Sequence, residues 1–278
     1  MKRFDYVYIL CIWPGRNRVL HTARAHMNFL RQYEYLKDRV YPRFVDARVK
    51  TTGDKSVLLV VAIRGDLCPD YERQVQEAFD GLCMPSNIHL KVVRHTNWGG
   101  TIGSLWDVWK DVLKGKIVSQ YVSVSEDDYI SSNWSLRERL LELGYIYVGM
   151  ILSQKHCGHL YWVSKHGYRT LHRNDRPVIG NALNFIHAKY GYENLDWTDG
   201  GFYFMKYESL QAIENKIGIF TKAPKDKPYN HTRDGMYFGE AGFPTELQAA
   251  GFKIIGLGPE SHRPYRNLGR APELFFRI

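Results

Sequence analysis

From Asp5 to Asp128 the chain alternates apolar runs of strand length with segments of helical periodicity, and no other feature narrows its fold so far. Asp5–Trp13 (DYVYILCIW) is apolar at successive positions, as a strand buried on both faces must be, and Pro14–Gly15 closes it. Leu20–Asp38 spaces its apolar residues helically among Arg, Gln, Glu and Lys, the pattern of a surface helix. Val57–Ile63 (VLLVVAI) predicts a second buried strand, Tyr71–Leu82 the helix after it, and Ile88–Val93 a third strand. Asn97–Gly103 (NWGGTIG) reads as a glycine-rich turn into a helix at Ser104–Leu113, and Tyr121–Val124 as a short fourth strand. Such alternation predicts an α/β fold with a mostly parallel sheet covered by helices. Ligands of open sheets of this kind bind beyond the carboxyl ends of the strands.

The second half is less regular. Tyr145–Leu152, Leu160–Val163 and Gly200–Met205 read as strands, and Asn133–Leu143, Leu183–Tyr190 and Ser209–Lys216 as helices. Lys222–Arg233 (KAPKDKPYNHTR) is polar and rich in Pro and Lys, so it is expected to be a loop. With no internal repeat, low-complexity tract or linker, the expectation is one domain over residues 1–278.

The net charge of +9 favours anionic partners. Its Lys and Arg are dispersed rather than gathered into a tail, which argues against nucleic acid as the partner and for a basic face around a pyrophosphate. Cys11, Cys68, Cys83 and Cys157 have neither metal-binding nor redox spacing, and Cys11 sits in an apolar run where a buried thiol is expected. That usage fits a reducing compartment. The N-terminal run lacks a small-residue cleavage site, and no stretch reaches the ~20 apolar residues of a membrane helix. The expectation is a cytoplasmic protein without a transmembrane segment, which leaves peripheral membrane contact open.

Chemistry concentrates at Ser125–Glu126–Asp127–Asp128, where three adjacent carboxylates follow an apolar strand. Their mutual repulsion costs stability unless a cation offsets it. Mg²⁺ or Mn²⁺ takes such oxygen ligands and bridges them to substrate phosphates. An acidic turn capping the next helix is the plainer alternative. One helix and one strand earlier, Asn97, Gly99 and Gly100 fall in a turn where a backbone without Cβ atoms admits a phosphate or base at close range. A tight strand-to-helix connection would use the same glycines. Ile12, Trp13 and Arg16 lie at the end of the first strand and Arg64 and Asp66 at the end of the second, where an open sheet receives its ligand, although a solvated turn would use the same residues.

This order of strand, glycine turn, helix, strand and acidic cluster resembles the GT-A-type glycosyltransferases of the nucleotide-diphospho-sugar transferase superfamily. The resemblance implies a GT-A-like fold whose residues 1–130 hold a nucleotide-sugar donor and whose residues 131–278 hold a hydroxyl acceptor. It also implies that Glu126–Asp127–Asp128 is a Glu-x-Asp element, with Asp128 as metal ligand, Asp127 or Glu126 assisting, and Mn²⁺ or Mg²⁺ as cofactor. Asp66 would contact the base or ribose. Leu195–Met205 (LDWTDGGFYFM) is similar to the acceptor-side segment, and Gly239–Phe252 (GEAGFPTELQAAGF) to the segment that carries the general base of inverting members. Ala241 stands where that family has Asp, which leaves the base open among Glu240, Asp199 and Glu246. His262, in PESHRPY, matches a C-terminal His that some members bring to the metal, and Arg263 and Arg266 could neutralise the leaving diphosphate.

Two other classes use similar parts. A sugar nucleotidyltransferase also needs Mg²⁺ beside strand-end acids, but Arg16–Asn17–Arg18 after Pro14–Gly15 is a poor version of its basic fingerprint. A non-catalytic module binding nucleic acid or acidic glycan would account for the charge and leave the acidic cluster unexplained.

Overall fold

A computed structural model of the chain describes residues 1–12, 54–64, 84–95, 100–126, 134–150, 199–218 and 250–257, with single positions at 73, 76, 77, 80, 243 and 247. Its strands are β1 (Lys2–Ile12), β2 (Val57–Arg64), β3 (Ile88–His95), β4 (Ile117–Glu126), β5 (Tyr147–Met150), β6 (Asp199–Lys206) and β7 (Ile254–Leu257). Its helices are α1 (Gly100–Val108), continued by a π-helical turn at Trp109–Leu113, α2 (Trp134–Glu142) and α3 (Tyr207–Ile217). Arg73, Gln76, Glu77 and Asp80 are also helical. The i,i+4 contacts Arg73–Glu77 and Gln76–Asp80 support that helix, in line with the expectation for Tyr71–Leu82.

The strands form one sheet in the order β3-β2-β1-β4-β6-β5-β7. β1 pairs in parallel with β2 and β4, β2 with β3, and β5 with β7. β6 runs antiparallel between β4 and β5. The result is the expected mostly parallel central sheet flanked by helices. Apolar runs specify its middle: Val7–Leu10 and Val57–Ile63 are buried throughout, as strands covered on both faces require.

On one face Val7, Ile9, Val60, Val122 and Val124 pack against Ile102, Leu105, Trp106 and Trp109 of α1 and its π-helical turn, and α3 adds Leu210 and Ile213 to this core. The other face carries an aromatic ladder across three neighbouring strands. Tyr6 stacks on Tyr121 at 5.6 Å, and Tyr121 on Phe204 at 5.5 Å. Glu138 of α2 accepts a hydrogen bond from the Tyr6 hydroxyl, and Lys55 donates to that hydroxyl at 2.8 Å. Burial and the Glu138 carboxylate push the Tyr6 phenol well above its ordinary range, so it remains a neutral donor. Among the described residues no helix is long and apolar enough to cross a membrane.

Several element bounds differ from the expectation. α1 begins at Gly100 rather than Ser104, so half of the supposed glycine turn is helix. Burial of Ile102, Leu105 and Trp106 against the sheet offsets the poor helix propensity of Gly100 and Gly103, about 1 kcal/mol each. β4 starts at Ile117 rather than Tyr121. The polar Ser119 hides its beginning in the sequence, yet the Ser119 hydroxyl, at 3.1 Å from the Asp5 carbonyl and 2.9 Å from that of Tyr121, is satisfied inside the strand. β5 begins at Tyr147 rather than Tyr145, and β7 answers to no apolar run singled out above. Leu20–Asp38, Leu160–Val163, Leu183–Tyr190 and Lys222–Arg233 lie outside the described residues.

α3 is tied to the end of α1 by a polar cluster. The Trp109 indole N–H donates to Glu214 at 2.9 Å, and Lys114 donates to both oxygens of the same carboxylate at 2.9 Å. Gly218, at φ 52°, ends α3 in the left-handed conformation and returns its N–H to the Glu214 carbonyl. Burial raises the Glu214 pKa, but Lys114, Trp109 and Gln211 outweigh it and hold the carboxyl below its ordinary value. A depressed folded pKa means that its contribution is complete above the unfolded carboxylate value and disappears as pH falls through the folded one. Glu214→Ala, which strands the buried indole N–H, is therefore expected to cost about 1–3 kcal/mol at neutral pH. Urea unfolding should show the charge-dependent part of that deficit shrinking in acid; a deficit independent of pH would assign the loss to the stranded indole and packing rather than to the charge.

Candidate active site

The register brings the strand ends to one edge. Arg64 pairs with His95, Ile12 with Ile63, and Cys11 with both Ala62 and Glu126. Ile12, Arg64, His95 and Glu126 are therefore the last residues of four adjacent parallel strands. Glu126 stands at the strand end expected for the first acid of the cluster.

β6 adds a further residue to this edge because it runs the other way. Its first residue, Asp199, pairs with Met150 at the end of β5, and Met150 pairs with Leu257 at the end of β7. Phe202 of β6 pairs with Ser125 of β4. The register shifts at this point: Gly149 pairs with Tyr203 but Met150 with Asp199, so β6 bulges over residues 200–202 and Asp199 stays one β5 step from the Tyr203 level, near the end of β4. Had β6 been parallel, Asp199 would lie at the opposite end of the sheet. From β2 to β6 the edge spans three strand spacings, about 14 Å. Gly100 opens α1 five residues after β3 ends, so the helix start faces the same region.

Five predicted site residues thus share one edge by backbone position: Ile12, Arg64, Gly100, Glu126 and Asp199. Trp13, Arg16, Asp66, Asn97, Gly99, Asp127, Asp128, Glu240, Glu246, His262, Arg263 and Arg266 lie outside the described residues. Among the described residues no group of three or more His, Cys, Asp or Glu is arranged to hold a metal ion. Cys11, one residue before the end of β1, is buried, as expected for an apolar strand.

His95 was passed over in the sequence, where nothing marks it apart from other histidines. It ends β3, is largely buried, and has Nε2 at 3.3 Å from the Asp111 carboxylate. That ion-pair geometry ties it to the segment following α1. The antiparallel course of β6, which the sequence does not signal either, sets the position of Asp199.

No family model matches the sequence, and no curated protein matches it. Some solved structures align with it over most of its length at low identity and low TM-score. A provisionally assigned nucleotide-diphospho-sugar transferase from Desulfovibrio desulfuricans is 10% identical, with a TM-score of 0.42 covering 93% of this chain and 80% of that one. Mannose-1-phosphate geranyltransferase from Thermus thermophilus is 13% identical, with a TM-score of 0.38 over 97% of this chain and 72% of that one. HddC from Yersinia pseudotuberculosis is 10% identical, with a TM-score of 0.34 over 90% of each chain. At these scores the likeness is broad and bears on no individual residue.

Proposed function

We propose that the protein is a glycosyltransferase that moves a sugar from a nucleotide-diphosphate sugar to a hydroxyl acceptor, within a single domain and with inversion of configuration. The observation that carries this reading is the reversed β6, which delivers an acidic residue to the strand-end edge that already holds Glu126. Strand-end carboxylates supply hard oxygen donors, a set that fits Mn²⁺ or Mg²⁺. In this proposal Asp128 is the main ligand, with Asp127 and His262 beside it. A bound divalent ion supplies charge neutralisation at the departing nucleoside diphosphate.

The chain's own residues do the rest. Ile12, Trp13, Arg16, Arg64 and Asp66 hold the nucleoside across the ends of β1 and β2. Asn97, Gly99 and Gly100 let the backbone approach the diphosphate at the start of α1. Glu240 or Asp199 takes the proton from the attacking acceptor hydroxyl. A cytoplasmic setting is part of the same proposal.

A thermal-shift screen tests it. UDP-, GDP- or dTDP-sugars with Mn²⁺ should raise the melting temperature, by about 2.7 kcal/mol of added stability at a hundredfold excess over Kd. A shift with a nucleoside triphosphate and a sugar phosphate, but with no nucleotide sugar, would indicate nucleotidyl transfer instead. Gly99→Val and Gly100→Val are expected to weaken donor binding, since a branched Cβ blocks close backbone approach. Normal calorimetric affinity in both variants would reduce the turn to a structural connection.

A further inference from the structure

The opposite edge of the sheet carries a second feature. β1 overhangs β2 there: Tyr6 is level with Val57, the first residue of β2, while Lys2–Phe4 continue beyond it, paired with Ile117–Ser119 of β4. Beside the overhang lies a cavity of about 510 Å³. Its rim carries Lys2 and Arg3 from β1 and His89 and Lys91 from β3, all exposed, and no carboxylate among the described residues lines it. Its floor is apolar, built from the buried Phe4, Leu58 and Ile117. The His89 imidazole stands edge-on to the Phe4 ring at 5.3 Å, joining rim to floor.

The volume falls within the range of small-ligand sites, about 300–1,000 Å³. Cations gathered without a counter-charge repel one another, and an anion relieves that repulsion. An apolar floor under a cationic rim suits a molecule with an anionic head and a hydrocarbon portion. We propose that this cavity binds the phosphate head of an amphiphile, with the positive field of Lys2, Arg3 and Lys91 around the rim attracting the phosphate and Phe4, Leu58 and Ile117 receiving the adjoining carbons. The site lies across the sheet from the donor edge, so the proposal stands apart from the catalytic reading.

The phosphate could belong to a membrane lipid or to a soluble organophosphate, and two assays on the full chain separate these sources. One is flotation with phosphatidylcholine vesicles with and without phosphatidylglycerol; the other is calorimetry with hexyl phosphate and with inorganic phosphate. The variants are Lys2→Glu combined with Lys91→Glu, and Lys253→Glu as a single charge reversal away from the cavity, just before β7 on the far side of the sheet. All three side chains are exposed, so unchanged melting temperatures should confirm intact folding. The double variant is expected to lose at least about tenfold in affinity, from the loss of two near-surface cations, while Lys253→Glu binds normally. Binding to phosphatidylglycerol vesicles that follows this pattern supports the lipid source. Binding of hexyl phosphate alone, again in this pattern, supports a soluble ester. Hexyl phosphate no tighter than inorganic phosphate overturns the role of the floor. Failure of every ligand to bind, or equal losses in Lys253→Glu, overturns the site.

Discussion

Replacing Asp128 with Asn is expected to abolish sugar transfer while leaving the fold intact. The side chain keeps its size and loses the charge that would hold a divalent ion on the donor diphosphate, so the loss should be one of turnover. Stability gives an independent check. Glu126, Asp127 and Asp128 are consecutive at a strand end, and removing one of three neighbouring charges lessens their repulsion. In the absence of metal the variant should therefore melt at the same temperature as the wild type or higher. In the presence of Mn²⁺ it should lose whatever stabilisation the wild type gains. The measurement is a pair of melting curves for each protein, with and without Mn²⁺, alongside initial rates with the donor that the screen identifies. Full activity with unchanged Mn²⁺ dependence would remove Asp128 from the metal site.

The second large effect concerns the proton acceptor. If Glu240 is the base, Glu240→Gln keeps its shape and removes its basicity. Turnover should then fall by roughly 10²–10⁴-fold while donor binding hardly changes. Asp199→Asn is the matched comparison, and the structure sharpens it, because Asp199 heads the strand next to β4 on the edge where Glu126 ends. A residue in that position could serve the acceptor or the metal. A base role predicts lower turnover at saturating Mn²⁺ with an unchanged Mn²⁺ requirement. A metal role predicts that more Mn²⁺ restores much of the rate. A large loss in Asp199→Asn with near-normal Glu240→Gln transfers the base to Asp199. Near-normal turnover in both points to Glu246 or to a retaining route without a protein base.

Long apolar runs made the centre of the fold legible in advance. Val57–Ile63 and the run around Val7–Leu10 can be buried on both faces only in the middle of a parallel sheet, and they are found there. Shorter and mixed elements were harder to see. Ile254–Leu257 is four residues long with Gly256 inside it, too brief to show a period. Gly100 and Gly103 look like turn residues because glycine weakens helices, and tertiary packing reverses that local preference. The alternation of strands and helices announced the parallel pairing of β1 to β4, but the reversal of β6 left no trace, since a period of two reads the same both ways. The strand-end position of Glu126 therefore followed from hydrophobic pattern alone, whereas the arrival of Asp199 at the same edge depends on β6 running in reverse.

The pairing of β1 also governs the order in which the chain can fold. β1 is synthesised first, yet its partners come late: Tyr6 waits for Val57, and Lys2 waits for Ile117. Contacts so distant in sequence slow folding, because loop closure has to come before any gain from pairing. On the ribosome, at about 5–20 residues per second, the apolar Val7–Leu10 segment stays without its β4 neighbour for many seconds. During that interval an open strand edge rich in β-branched and aromatic residues is available to other chains. A nascent chain of this design should depend on holdase chaperones until Glu126 has left the exit tunnel, and a truncation ending before Ile117 should aggregate rather than fold.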